Sequence, residues 1–110
     1  MTFTMIEGDG GAIFQSDAAR TAIDAAIVEA CAGTIDAFYD LGVMYSSGSA
    51  GVACDLIEAH KWFNIAASKH HEEAAWARAD VSEEMTAREI AEAQRRAREF
   101  LRTERKVCAA

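Results

Sequence analysis

The chain has 110 residues, of which 51% are hydrophobic and 26% are charged, and it contains no proline. This composition excludes a disordered or collagen-like protein and favours one soluble domain built from helices. The formal net charge of −7 is unevenly spread, because the first 60 residues carry nine acidic side chains and one basic one, and the rest carry nine acidic and ten basic. The acidic N-terminal half argues against nucleic acid as the main partner.

The cysteines and the apolar runs bear on the compartment. The three cysteines are Cys31, Cys54 and Cys108, and none of them forms a Cys-x-x-Cys pair. Because an odd count without paired spacing is typical of reduced thiols, we expect a cytoplasmic protein. No apolar run is long enough to cross a bilayer, and residues 1–12 lack the basic and apolar regions of a signal peptide. We therefore expect no membrane insertion.

The two ends of the chain are expected to lie outside the folded domain. Residues 1–15 are predicted to form an N-terminal arm, since the glycines at 8–11 interrupt any regular element. The arm is expected to be flexible, with the alternative that its apolar side chains pack back or dock onto another surface. Residues 16–105 are predicted to form the domain, and residues 106–110 a frayed tail.

Hydrophobic periodicity predicts five helices in the domain. They cover about 16–32, 34–46, 55–69, 71–85 and 87–105. Ser16 or Asp17 is the expected N-cap of the first helix, and Asp55 that of the third. Thr86 and Glu89 have the spacing of a capping box at the start of the last helix. The sequence therefore predicts an all-α protein.

The second and third helices carry the most specific pattern in the chain. Ala37, Leu41 and Tyr45 recur at helical spacing, and apolar residues follow i, i+3, i+4, i+7 and i+8 from 59 to 67. The connector at 46–52 contains two glycines that can adopt a positive φ. These features predict a helical hairpin.

This order of residues resembles a Sel1-like repeat, an α/α relative of the tetratricopeptide repeats. The matching positions are Ala37, Leu41, Gly42, Tyr45, Gly48, Gly51, Val52, Asp55, Ala59, Trp62, Phe63, Ala66 and Ala67. The resemblance implies a short α-solenoid fragment of about five helices in antiparallel α/α hairpins. Gly42 is expected to let two helices approach closely, and Trp62 and Phe63 to supply most of the apolar contact. His70 stands where the family usually has glycine, and we expect it to adopt a left-handed conformation at some cost.

A shift of 37 residues aligns a degenerate second copy with the hairpin. Ala74 then falls on Ala37 and Trp76 falls on Tyr39, whereas the charged Arg78 falls on an apolar position. Degeneracy of this kind is expected of a terminal repeat, which must present a polar outer face to solvent.

Four residues are candidates for metal or thiol chemistry: Cys54, His60, His70 and His71. They lack the paired spacing of zinc ligands, and Cys54 has Asp55 beside it rather than a base. His60 is expected on a helix surface and the other two histidines in a turn. We therefore predict no catalytic, metal-binding or cofactor-binding residues and no enzymatic activity. Cys31 is expected to be a small core residue.

The resemblance implies a non-catalytic protein–protein interaction module, such as a small Sel1-like adaptor or accessory subunit, which binds a partner polypeptide on its concave face. The predicted partner-binding residues are Phe38, Tyr39, Asp40, Val43 and Trp76. Aromatic residues among acidic ones suit a partner with Arg, Lys and apolar anchors, although the aromatic residues could also be ordinary core. One alternative is a self-assembling structural module that pairs the acidic N-terminal half with the basic C-terminal helix. The weakest alternative is a metal or thiol protein using Cys54 and the histidines.

Overall fold

The computed structural model describes residues 16–109, so the expectations for the N-terminal arm and for Ala110 lie outside the described residues. Five α-helices follow one another, and a single 3-10 turn, Ser49–Gly51, lies in the second connection. The helices are α1 Asp17–Cys31, α2 Ile35–Ser47, α3 Leu56–Ser68, α4 Glu72–Ser82 and α5 Ala87–Ala109. Residues 16–109 contain no strand, so the predicted all-α class is confirmed.

The predicted helix starts are formed by local hydrogen bonds. The Asp55 carboxylate accepts hydrogen bonds from the backbone N–H groups of Ile57 and Glu58, at 3.1 and 3.2 Å. At the start of α5, the Glu89 N–H donates to the Thr86 hydroxyl at 3.1 Å, and the Thr86 N–H donates to the Glu89 carboxylate at 2.9 Å. These bonds satisfy backbone donors that have no partner in the first turn of a helix.

Two helix ends use left-handed backbone. Gly48 ends α2 with a φ of 74°, which costs little without a Cβ. His70 follows α3 with a φ of 73°, the left-handed conformation that was predicted for it. Because His70 is not glycine, this conformation costs about 1 kcal/mol or more.

Helix α3 lies at the centre of the domain, where it packs against α2, α4 and α5, and α1 covers α2. The closest approach is between α2 and α3, because a Cβ added at Gly42 would overlap the Phe63 ring. Gly42 therefore has the role predicted for it. The largest side chains that are almost completely buried are Phe38, Phe63, Leu41 and Ile65.

An aromatic cluster joins three helices. The Phe38 ring of α2 stacks on Trp62 of α3 with ring centroids 6.0 Å apart, and Phe100 of α5 meets both rings edge-on at 5.9 and 5.2 Å. Edge-to-face and stacked pairs at these distances add to the stabilisation from burial. Phe38 is thus a core residue that links α2 to α5.

Helix α5 lies on α3 and scarcely touches α4, although both helices are fully described apart from the end of the chain. Arg96 pairs with Glu58 at 2.7 Å, and Glu104 pairs with Lys69 at 3.2 Å. Later residues of α5 thus meet later residues of α3, so the two helices run in the same general direction. The second hairpin expected from the 37-residue shift does not close as the first one does.

A disulfide joins Cys31, at the end of α1, to Cys108 near the end of α5, with the two Cα atoms 5.1 Å apart. Two expectations were wrong: Cys31 is a bridged cysteine, and residues 106–109 continue α5 instead of fraying. Cys54 is left as the free and exposed thiol. Disulfides persist in oxidising compartments, so the bridge is at odds with the cytoplasm inferred from the odd cysteine count.

None of the helices within residues 16–109 has both the length and the apolar character that a membrane span requires.

Candidate functional site

Helices α2 and α4 present a common outer surface, which we name the α2–α4 face. It is defined by Asp36, Tyr39, Asp40, Glu73, Trp76 and Asp80. All of these side chains are exposed except Tyr39, which is partly buried. Tyr39, Asp40 and Trp76 belong to the predicted partner-binding set, so the structure brings three of its five members to this surface.

The centre of the α2–α4 face is an open groove of about 330 Å³ beside Trp76. Its lining consists of Tyr39, Glu73, Trp76, Ala77 and Asp80. The Trp76 side chain is 76% exposed, which makes it the most exposed large hydrophobic residue of the described chain. Glu73 and Asp80 lie three residues before and four residues after it, so both carboxylates lie on its side of the helix. The groove therefore combines aromatic surface with negative charge.

Tyr39 forms the inner wall of the groove and is held in place by its neighbours. Its ring stacks on the His71 imidazole with centroids 4.8 Å apart, and it lies 5.6 Å from the Phe63 ring. An aromatic side chain fixed in this way loses little further rotamer freedom when a ligand binds. The Tyr39 side of the groove is therefore formed before a ligand binds, whereas the Trp76 side chain projects into solvent.

His71 connects α4 to α2. Its Nδ1 accepts a hydrogen bond from the Ala74 N–H at 3.1 Å, which caps α4, and its Nε2 lies 3.0 Å from the Asp36 carboxylate. The acceptor role of Nδ1 places the imidazole proton on Nε2, the nitrogen beside the Asp36 carboxylate. The sequence predicted only a turn here. Histidine is not among the preferred N-cap residues, so no local signal identified this role.

The other two predicted partner-binding residues are Phe38, which does not reach the surface, and Val43, which is partly buried as Tyr39 is. Phe38 is 2% exposed and belongs to the aromatic cluster, so the expectation that it faces a partner was wrong. Val43 is partly buried and packs against the core. For Phe38, the alternative of an ordinary core residue is the one that the structure supports.

His60 is buried instead of lying on a helix surface. It is 2% exposed, and its Nδ1 has no hydrogen-bond partner within residues 16–109. Burial lowers the pKa of the imidazole, and the nearby positive charge of Arg78 lowers it further. Arg78 itself donates a hydrogen bond to the Asn64 side chain at 2.6 Å. His60 is therefore a neutral core residue facing α4, unlike the solvent-facing histidine that the sequence predicted.

The residues proposed for metal or thiol chemistry do not converge. The Cys54 thiol is exposed and donates a hydrogen bond to the Ser46 carbonyl oxygen at 3.5 Å. In the described part of the chain, no three His, Cys, Asp or Glu side chains come together as metal ligands.

The chain matches no protein-family model, no curated protein and no solved structure.

Proposed function

We propose that this protein is a non-catalytic protein–protein interaction module, a small adaptor or accessory subunit, whose α2–α4 face binds a partner polypeptide. The observation that carries the proposal is the exposed Trp76 beside the fixed Tyr39 ring. Tryptophan and tyrosine are enriched among the residues that dominate interface energies, and here both line one groove together with two carboxylates. The Sel1-like pattern of residues 37–67 supports the same function.

The groove favours a partner segment that carries Arg or Lys next to an apolar side chain. A cation over the Trp76 ring gains about 0.5–1 kcal/mol at an exposed site, and more when the contact is desolvated. The Glu73 and Asp80 carboxylates can pair with the same cation from either side of the ring. Two lysines of the described chain already lie over aromatic rings, Lys61 over Trp62 and Lys69 over Phe38, and these rings are not that of Trp76.

We propose as well that α2 to α5 form a short solenoid fragment in which the α2–α4 face is the concave side. Two observations support this arrangement. Ala37 and Ala74, which the 37-residue shift aligns, are 1% and 0% exposed. Tyr39 and Trp76, which the same shift aligns, line one groove. The separation of α4 from α5 is the observation that a regular solenoid does not explain.

Site-specific photocrosslinking tests the proposal. A photoreactive phenylalanine replaces Trp76 in one variant and Val28, which is 67% exposed on α1, in the control. We expect polypeptide adducts from position 76 in cells, and we expect Glu73→Gln with Asp80→Asn to abolish them. The same adducts from position 28, or no polypeptide adduct from position 76, would contradict the proposed function.

Once a partner is identified, its affinity gives the quantitative test. We expect Trp76→Ala to weaken binding by about 30-fold or more, the loss typical of a central interface residue. Val28→Ala serves as the matched control and should change the affinity less than about twofold, since it removes an exposed apolar side chain from α1. Equal losses from the two variants would remove the α2–α4 face from the interaction.

The location that we propose from the sequence is the cytoplasm, and the Cys31–Cys108 bridge supplies its test. Cytoplasmic glutathione and thioredoxin keep thiols reduced, so a cytoplasmic protein should be recovered with all three cysteines open to alkylation. Recovery of a bridged form in which only Cys54 is alkylated would contradict that location.

A further inference from the structure

Helix α5 carries a row of basic side chains along its outer side, which we name the α5 stripe. The stripe consists of Arg88, Arg95, Arg98, Arg102, Arg105 and Lys106. All six side chains are exposed. At about 100° per residue they fall within an arc of about 100°, opposite the buried Ala93 and Ala97, and at 1.5 Å per residue they span roughly 27 Å.

The stripe has more positive charge than its own acidic neighbours neutralise. Arg95 pairs with Glu92 at 2.8 Å and Arg102 pairs with Glu99 at 2.5 Å, and these are the stripe's ion pairs in the described chain. Residues 87–110 carry seven basic and four acidic side chains, whereas residues 16–86 carry four basic and twelve acidic ones. One molecule thus contains a basic outer helix and an acidic body.

We infer that the α5 stripe docks on the α2–α4 face of a second copy of this chain. The inference rests on the proposed function, because it names the partner of that face. Charge complementarity carries it: the stripe offers arginines, and the face offers the carboxylates that flank the exposed Trp76. Because the stripe lies on the side of α5 that faces away from α3, it cannot reach the α2–α4 face of its own molecule.

A second copy fits the stripe better than a phosphate backbone does. A formal charge of −7 repels a nucleic acid and a second copy alike at long range, so the contact itself decides between them. Glu92 and Glu99 also border the stripe and would face the phosphates. A second copy instead presents a compact acidic face with an aromatic ring at its centre. Each copy carries one such face and one stripe.

The two surfaces differ, so the contact is head-to-tail and each docked copy leaves one stripe and one face open for the next. The pairing depends on exposed charges, so it is expected to weaken with salt, since the Debye length shortens from about 30 Å at 0.01 M to about 8 Å at 0.15 M. We expect concentration-dependent assembly at low salt and at least about tenfold weaker association at physiological ionic strength.

Mass measurement by sedimentation and light scattering tests the inference with the full chain and two variants. The stripe variant is Arg98→Glu with Arg105→Glu, and the face variant is Asp40→Lys with Asp80→Lys. All four substituted side chains are exposed, and none has an ion pair in the described chain, so both variants should keep the helical content and melting temperature of the wild type. Each variant alone should be monomeric at low salt.

An equimolar mixture of the two variants should form a 1:1 dimer and no larger species. The intact face of the stripe variant can accept the intact stripe of the face variant, and the other two surfaces are blocked. A monomeric mixture, assembly that survives in either variant alone, or a wild type that stays monomeric at low salt would overturn the inference.

Two further readouts separate this inference from the proposed function. A crosslinked product from position 76 with twice the mass of the chain supports a second copy. Adducts to a different polypeptide, with a monomeric wild type, overturn the inference and leave the proposed function standing. If a labelled single-stranded oligonucleotide bound the wild type and not the stripe variant, the stripe would be a phosphate-binding surface and the inference would again be overturned.

Discussion

The α2–α3 hairpin and helix α5 are held in the domain by different forces. The hairpin contributes the largest side chains that are almost completely buried, and it closes over Gly42 without space for a Cβ. Helix α5 buries only Ala93 and Ala97, adds the partly buried Phe100, and is otherwise fixed by ion pairs and the bridge at Cys108. Apolar burial responds little to salt or pH, whereas ion pairs and a disulfide respond to both solvent and redox state. Solution conditions should therefore act on α5 before they act on the hairpin.

The largest expected effect comes from emptying the hairpin core. Phe63→Ala should lower the free energy of unfolding by about 3–5 kcal/mol, because the ring is buried and its removal leaves a cavity between α2 and α3. Urea denaturation followed by tryptophan fluorescence measures the change. Phe100→Ala is the matched variant in α5 and should cost less, since that ring is only partly buried. An equal cost would erase the difference between the two regions.

The next effect comes from the bridge. Cys31 and Cys108 are 77 residues apart, and closing a loop of that length restricts the unfolded chain enough to stabilise the fold by about 2–4 kcal/mol. Cys108→Ser, or reduction with dithiothreitol, should lower the melting temperature, and Cys54→Ser should leave it within the range of an ordinary surface change. If reduction left the melting temperature unchanged, α5 would be held by its noncovalent contacts alone.

A smaller effect is expected where the hairpin helices meet. Gly42→Ala should destabilise the protein by about 1–3 kcal/mol, because the added methyl group overlaps the Phe63 ring and outweighs the gain in helix propensity. Chemical denaturation gives the value. The double variant Gly42→Ala with Phe63→Leu should cost less than the sum of the two single changes, since the smaller side chain relieves the overlap. Strict additivity would show that the two residues are not in conflict.

The smallest expected effect concerns Glu92 on α5. Hydrogen bonds from Arg95 and then Arg96 lower the pKa of Glu92 to about 2. A lowered pKa in the folded state means that the carboxylate stabilises the fold above its ordinary pKa and that this contribution is lost as the pH falls towards 2. Glu92→Gln should therefore flatten the loss of helical signal between pH 4.5 and 2.

The size of this acid effect should be small and should shrink in salt, because Glu92 is accessible to solvent. Glu84→Gln, in the exposed turn before α5, is the control and should leave the acid limb as it is in the wild type. Circular dichroism against pH at low and high salt measures both. An unchanged acid limb in Glu92→Gln would exclude this cluster from the stability of α5.

The sequence predicted what is decided within a few residues. The cap at Asp55, the reciprocal bonds of Thr86 and Glu89, and the left-handed His70 all depend on immediate neighbours. Gly42 was also predicted correctly, because the hairpin pattern specifies which helices meet there. The grouping of Tyr39 with Trp76 followed from the 37-residue shift alone.

Features set by distant contacts were missed. A two-helix hairpin buries only one side of α2, and on that basis Phe38 is predicted to be exposed. In the structure α2 packs against α1, α3 and α4, and Phe38 also contacts α5. The Cys31–Cys108 pairing and the contact between His71 and Asp36 join residues far apart in the chain, and neither the cysteine count nor any local pattern specifies such partners.

The bridge also changes what a protease would produce. It encloses the exposed connector at Ser49–Gly51, so a backbone cut there would leave two fragments still covalently joined. Such a nicked molecule would run as one band on a non-reducing gel and as two bands after reduction. Its paired helices could remain associated, which offers a direct way to learn how much of the fold survives without an unbroken main chain.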